Sequence, residues 1–201
     1  MKSIFNLNNQ NLSIDGKIIA GLDKLVSVHR NLIWEQSKKF GLSPIQIQLL
    51  LFMNYHKAEY TTVSYLAKEF QVTKPTISDA VKMLFQKELV VKIENSTDAR
   101  SYAMQLTAEG IAIVQETELF TRSLQYALQF VNETSKQEVW ELLSKILFQL
   151  TQMDVISVNR MCFSCQFYSQ NGQGHYCNLL FKSLANHEIR MDCEEHVVKV
   201  I

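Results

Sequence analysis

Four cysteines stand at Cys162-x2-Cys165-x11-Cys177-x15-Cys193, all within the last 40 of 201 residues, and the chain has no others. A thiolate is a soft ligand for zinc and for iron–sulfur clusters. A C-x-x-C step lets two sulfurs reach one centre, and four satisfy a tetrahedral ion or a cluster. Clustering of this kind inside a cell favours metal over disulfide. The expectation is one four-cysteine centre per chain at Cys162, Cys165, Cys177 and Cys193, either an iron–sulfur cluster or zinc. A histidine (His175, His187 or His196) could replace one thiolate, although solvated loop histidine is the simpler reading of His187. So short a tail has little apolar material for a core of its own, so bound metal is expected to organise it.

A second group of residues suits recognition rather than ligation. In KPTISDAVKMLFQKEL, Ile77, Val81 and Leu84 recur at helical spacing and form a stripe for burial. Lys74, Thr76, Ser78, Asp79 and Lys82 are left facing outward. Small polar and basic side chains on one helix face suit base edges and phosphates in a DNA major groove. Arg100, near the tip of a following hairpin, suits a minor groove or a phosphate.

The elements that must carry these residues are legible. TTVSYLAKEF places Val63, Leu66, Ala67 and Phe70 on one stripe, with Thr61 or Thr62 as cap. Thr73 is placed to cap the next helix, with Pro75 in its first turn. LVVKIEN and SYAMQLT alternate on either side of STDAR, setting Leu89, Val91 and Ile93 against Val90, Lys92 and Glu94, and Tyr102, Met104 and Leu106 against Ser101, Ala103 and Gln105. Upstream, residues 17–40 read as a helix with a broad apolar face containing Ile18, Leu22, Leu25, Val26, His29, Leu32 and Ile33. Ser43-Pro44 starts a helix that is apolar nearly all round and therefore central. A long helix is expected from Thr107 to about Val131, with Gly110 tolerated near its start. Another is expected over 135–159, with Val139, Leu142, Leu143, Ile146, Leu147, Leu150 and Met153 in a wide stripe.

Three stretches follow: an extended or loosely docked arm at 1–16, a helical domain with a hairpin at 17–159, and the cysteine tail at 160–201. The fold class is mainly α with a small β-hairpin wing, a winged helix-turn-helix with long dimerisation helices.

GLSPIQIQLLLFM (41–53), LAKEFQVTKPTISDAVKMLFQKELV (66–90), Asp98-x-Arg100 and LTAEG (106–110) together resemble the winged helix-turn-helix of MarR-type transcription regulators over roughly residues 18–160. The resemblance implies a homodimer held by the terminal helices, double-stranded DNA as partner, and a cleft for a small-molecule effector of unknown identity. Ala99 stands where many relatives have a second basic residue, which makes the wing less cationic. In the tail, CQF after the C-x-x-C pair and C-x-L-x at the third cysteine resemble the cluster segment of high-potential iron–sulfur proteins, which implies a four-iron four-sulfur cubane. The tryptophan usual near the last cysteine of that segment is absent.

Bulk properties bound these readings. Twenty basic residues balance twenty acidic ones. Over residues 61–107 six basic side chains face five acidic ones, a weak field for non-specific DNA binding. A partner-docking protein without DNA affinity, built on the same scaffold and a metal-stabilised tail, is the alternative. No serine–histidine–aspartate order, phosphate loop or carboxylate pair suggests catalysis. No run of about 18 apolar residues predicts a membrane span. MKSIFNLNNQ lacks the apolar centre of a secretory leader, so the expected compartment is the cytoplasm.

Overall fold

The computed structural model describes residues 3–94, 102–158, 160–171 and 174–199. Its helices are α1 (Leu7–Leu12), α2 (Ile14–Phe40), α3 (Pro44–Tyr55), α4 (Val63–Glu69), α5 (Lys74–Gln86), α6 (Ala108–Thr117), α7 (Arg122–Leu128) and α8 (Glu133–Gln152). The wing pairs β1 (Val90–Glu94) with β2 (Tyr102–Leu106), and the tail forms an antiparallel sheet in the order β3 (Tyr168–Asn171), β4 (Gly174–Cys177), β5 (Lys182–Leu184).

Local chemistry accounts for the helix ends. Asn6, Ser13, Ser43, Thr62, Thr73, Thr107 and Asn132 each cap a helix with a side-chain oxygen. Ser43 and Gln46 complete a capping box in front of Pro44. Gly41 ends α2 at φ 59°, a left-handed conformation that costs glycine little. The residues expected to be extended at the N-terminus instead form α1 and the first turn of α2, because Asn6 and Ser13 supply consecutive caps. Thr61 does not cap α4. It is buried, accepts the Met104 N–H at 2.9 Å and lies 2.8 Å from the Met104 carbonyl, so it pins β2 to the start of the helix-turn-helix.

The core lies where α3 meets α2, α5, α6 and the wing. Ile47, Leu49, Leu50, Leu66, Ile77, Leu84 and Met104 are fully buried there. α3 is central, as its all-round apolar sequence requires. The hairpin register corrects the expected alternation: Val90 pairs with Leu106 and faces the core, while Val91 pairs with Gln105 and points out. Adjacent valines made the two faces hard to distinguish by period, and the Thr61–Met104 bonds settle the choice. Lys92 lies opposite Met104 and spreads over the Tyr102 and Phe85 rings, 4.4 and 5.6 Å from their centroids.

The expected helix from Thr107 to Val131 is interrupted. A 3₁₀ turn at Glu118–Thr121 separates α6 from α7. The Thr117 hydroxyl turns back on the Ile113 and Val114 carbonyls, and Phe120 is drawn in against His29, ring centroids 5.1 Å apart. α8 stops at Gln152 rather than 159, because the Val155 N–H folds back on the Leu150 carbonyl and Asp154 takes a left-handed φ. Among the described residues no helix is long and apolar enough to cross a membrane.

Gly110 is required rather than tolerated. A Cβ there would lie 2.2 Å from the Leu89 carbonyl oxygen. Thr107 closes the same junction: its N–H donates to the Leu89 carbonyl, and its hydroxyl donates to Glu88 and accepts from Gly110. Gly110→Ala must therefore push α6 off the base of the wing. The expected loss is about 1–3 kcal/mol, the usual cost of overpacking, read as a lower midpoint in urea denaturation.

Candidate nucleic-acid interface and cysteine pocket

α5 is anchored by Ile77, Ala80, Val81 and Leu84, all buried. Lys74, Thr76, Ser78, Asp79 and Lys82 are all exposed, as the period predicts. Thr76 lies in the first turn, where its N–H donates to the Thr73 hydroxyl oxygen and the two hydroxyls are 2.8 Å apart. Lys92 adds a cation on the wing, which the alternation alone did not single out. Arg100 falls outside the described residues, with the rest of the hairpin tip.

The tail brings the four cysteines to one place. Cys162, Cys165, Cys177 and Cys193 line a single cavity of about 290 Å³. Cys162 and Cys165 flank a 3₁₀ turn, Cys177 ends β4, and Cys193 lies on the returning chain. The Cys162 N–H donates to the Arg190 carbonyl and the Cys193 N–H to that of Arg160, so the two segments are laced together. The Arg190 N–H in turn reaches the Cys162 sulfur at 3.2 Å, and its guanidinium lies 3.7 Å from the Cys193 sulfur. Burial pushes the Cys162 thiol up; the Arg190 amide opposes this, and the other three thiols add to it. A bare thiolate is therefore disfavoured there, and bound metal would reverse that preference.

None of the three candidate histidines lines the cavity. His175 bonds Tyr168 and Asn186, and His196 is buried against Ser164. The tail also has more structure of its own than its length suggested: a three-stranded sheet, with Met161 and Ile189 buried beneath it.

Sequence reasoning missed what joins the tail to the helix-turn-helix. Arg160, 6% exposed, grips Asp192 side-on at 2.6 and 2.7 Å and donates to Glu69 of α4 at 2.8 Å. It also donates to the Tyr65 hydroxyl and sits among the Phe52, Tyr60 and Tyr65 rings, 5.3–5.7 Å from their centroids. Desolvation opposes the Arg160 charge, but the two carboxylates outweigh it and hold the guanidinium protonated. Desolvation also pushes Asp192 up, yet the hydrogen bonds from Arg160 and His56 prevail and hold it far below the usual carboxylate range.

His56 completes this hub. Its Nδ1 lies 2.8 Å from the Phe52 carbonyl and its Nε2 lies 2.8 Å from Asp192. Both of these partners only accept, so the contacts favour an imidazolium that donates from both nitrogens, while the Arg160 amino group, 3.3 Å from Nε2, opposes it. Burial and the nearby Arg160 work against that charge; Asp192 and the carbonyl overcome them and raise the pKa. Lys57 extends the contact toward Glu194 and Glu195. Arg160–Glu69 and His56–Asp192 span 91 and 136 residues of sequence, so no local pattern announces them.

Further contacts tie the tail to both neighbours. Ser157 donates to the Lys68 carbonyl and Gln71 to that of Val155. On α8, Trp140 donates to the Asn186 carbonyl and Phe148 meets Phe163 edge-on.

Residues 40–101 match the model of the MarR family. The fold is similar to that of MepR from S. aureus, solved as a DNA complex, at 24% identity over 65% of this chain and 97% of that one, TM-score 0.56. A MarR protein from Peptoclostridium difficile aligns at 20% identity over 70% and 92%, TM-score 0.59. A MarR transcriptional regulator from Methanosarcina mazei aligns at 15% over 68% and 97%, TM-score 0.58. At these identities the likeness is one of fold. No match was found among curated proteins. The four cysteines lie beyond the matched family segment.

Two outcomes are expected of the hub. Arg160→Met leaves Glu69 and Asp192 without their cation. A fully buried pair broken in this way costs about 3–5 kcal/mol; because the Asp192 side chain is 42% exposed, the expected loss is about 2 kcal/mol in chemical denaturation. For His56 the folded pKa is raised, so its contribution is complete below its unfolded pKa of about 6.5 and fades as pH rises through the higher folded value. The facing charges are Asp192, which holds the proton, and Arg160, which opposes it. The stability lost in His56→Gln should thus be larger at about pH 6 than at about pH 8.5, and an equal loss at both would refute the imidazolium assignment.

Proposed function

We propose that the chain, whose residues 40–101 match the model of the MarR family, is a homodimeric DNA-binding transcription regulator whose tail holds a four-cysteine centre. One observation carries the DNA reading. α5 is held by a fully buried stripe while its opposite face offers Lys74, Thr76, Ser78, Asp79 and Lys82 to a major groove. Lys74 and Lys82 serve phosphates. Thr76 and Ser78 serve base edges. Asp79 repels phosphate but can accept from a cytosine amino group, so it favours discrimination over raw affinity. Arg100 and Lys92 would extend the contact from the wing.

Neutral overall charge does not oppose this reading, because local field rather than net charge steers a polyanion. It does limit the number of phosphates neutralised, and hence the salt dependence.

Support for a dimer comes from apolar surface that one chain leaves open. Leu25, Val26 and Trp34 of α2, Tyr126 of α7 and Val139 of α8 are each more than half exposed. Phe5, Leu7 and Leu12 beside them are more exposed still. A second copy would cover this surface, and a two-fold dimer would address two half-sites about one DNA turn apart.

The tail would act as a tie between α8 and α4. It holds α8 through Trp140 and Phe148, and α4 through Arg160 and Ser157. A change in the centre would then reach the helix-turn-helix through the backbone of Cys162 and Cys193. An effector in a cleft between α8 and the winged lobe is compatible with this arrangement.

Gel shifts across a salt series test the surface. Lys82→Ala and Arg100→Ala should weaken binding to every duplex and each reduce the salt slope by about one. Thr76→Ala and Ser78→Ala should instead change the ranking of duplexes, at about 1–3 kcal/mol per lost base contact. Four variants indistinguishable from the parent would remove α5 and the wing as the interface. Leu25→Asp would place a carboxylate in the proposed contact between copies. Sedimentation should then report monomers, and an intact dimer at micromolar concentration would refute the interface.

A further inference from the structure

We propose that the cysteine pocket is built for a polynuclear iron–sulfur cluster and not for a single zinc ion. This deepens the four-cysteine reading above and rests on it. A mononuclear zinc site needs its four sulfurs about 2.3 Å from one point. All four cysteines are among the described residues, yet no three cysteine, histidine or acidic side chains there converge on a point that could hold one ion. The same four thiols nonetheless share one cavity of about 290 Å³. Sulfurs that ring a cavity without meeting at a point match a ligand that has a body of its own, with a separate metal atom for each thiolate.

The walls agree with that occupant. Phe167, Leu179, Leu180 and Leu184 make much of the lining apolar. The polar atoms that reach sulfur are donors: the Arg190 N–H toward Cys162 and its guanidinium toward Cys193. Apolar enclosure and N–H donors to sulfur are the means by which a protein holds and tunes a cluster whose thiolate ligands carry net negative charge. A closed zinc site needs neither the extra volume nor a cation beside its ligands. No histidine faces the cavity, so a mixed thiolate–imidazole ion site has no nitrogen to draw on.

The thiols reach the cavity from two parts of the tail. Cys162, Cys165 and Cys193 lie on the laced segments 160–165 and 190–193, whereas Cys177 ends β4, paired with Tyr168 and Lys182.

The test uses the full-length chain purified without oxygen from cells supplied with both iron and zinc. Iron, acid-labile sulfide and zinc are measured per chain, with the visible spectrum. Iron and sulfide in equal amounts, a brown colour and little zinc are expected. Cys177→Ser should lose most of the iron and sulfide, while Arg190→Lys, which keeps the amide donor and a cation, should retain them. About one zinc per chain without sulfide, lost in Cys177→Ser, would overturn the cluster and leave the four-cysteine centre standing. Neither metal, with four thiols freely alkylated in the native chain, would overturn both.

Discussion

Arg160 is a buried cation, and the arrangement of the whole molecule follows from how it is compensated. A guanidinium taken out of water carries a large desolvation cost unless every donor finds an acceptor. Here the acceptors come from three places: Glu69 and Tyr65 on α4, Asp192 in the tail, and the aromatic faces of Phe52, Tyr60 and Tyr65. No one of these elements satisfies the charge alone. The planar fork fits this task, with one edge taking the Asp192 carboxylate while a second nitrogen turns to Glu69. The His56 ring lies against the same Asp192 carboxylate, 2.8 Å from it. Helix-turn-helix and tail are consequently parts of one charge-balanced unit.

The position of Arg160 in the chain gives that unit a chemical meaning. It precedes Cys162 by two residues, and Asp192 precedes Cys193 by one. The Arg160–Asp192 pair and the Arg160–Cys193 backbone bond therefore fix the approach of the two strands that carry three of the four thiols. A site assembled in this way is mechanically continuous with α4. Hydrogen-bonded backbone connects the cysteine segments to Arg160 and Asp192.

The outward face of α5 follows a different logic. It is held from behind by apolar burial and owes nothing to the charges of the hub. Its polar residues stand in solvent, with Asp79 between Lys74 and Lys82 along the helix. The open apolar surface of α1, α2, α7 and α8 is separate again.

Sequence by itself determined the elements with local causes. Ile77, Val81 and Leu84 at helical spacing placed α5 and its exposed face, Thr73 and Pro75 placed its start, and Ser43 with Pro44 placed that of α3. Alternation gave a hairpin, and the grouping of cysteines marked side chains that the fold brings to one cavity. These rest on periods and caps, which act over one or two turns. Tertiary structure decided the rest. Which valine of the wing faces inward was set by Thr61, some forty residues from its partner Met104. Gly110 proved obligatory only once Leu89 was seen against it. The break after Thr117 came from the docking of Phe120 on α2. Arg160, His56, Glu69 and Asp192 are unremarked polar residues in the sequence, because an ion pair needs only proximity and leaves no spacing rule behind. For the same reason the spacing of the cysteines left ion and cluster open.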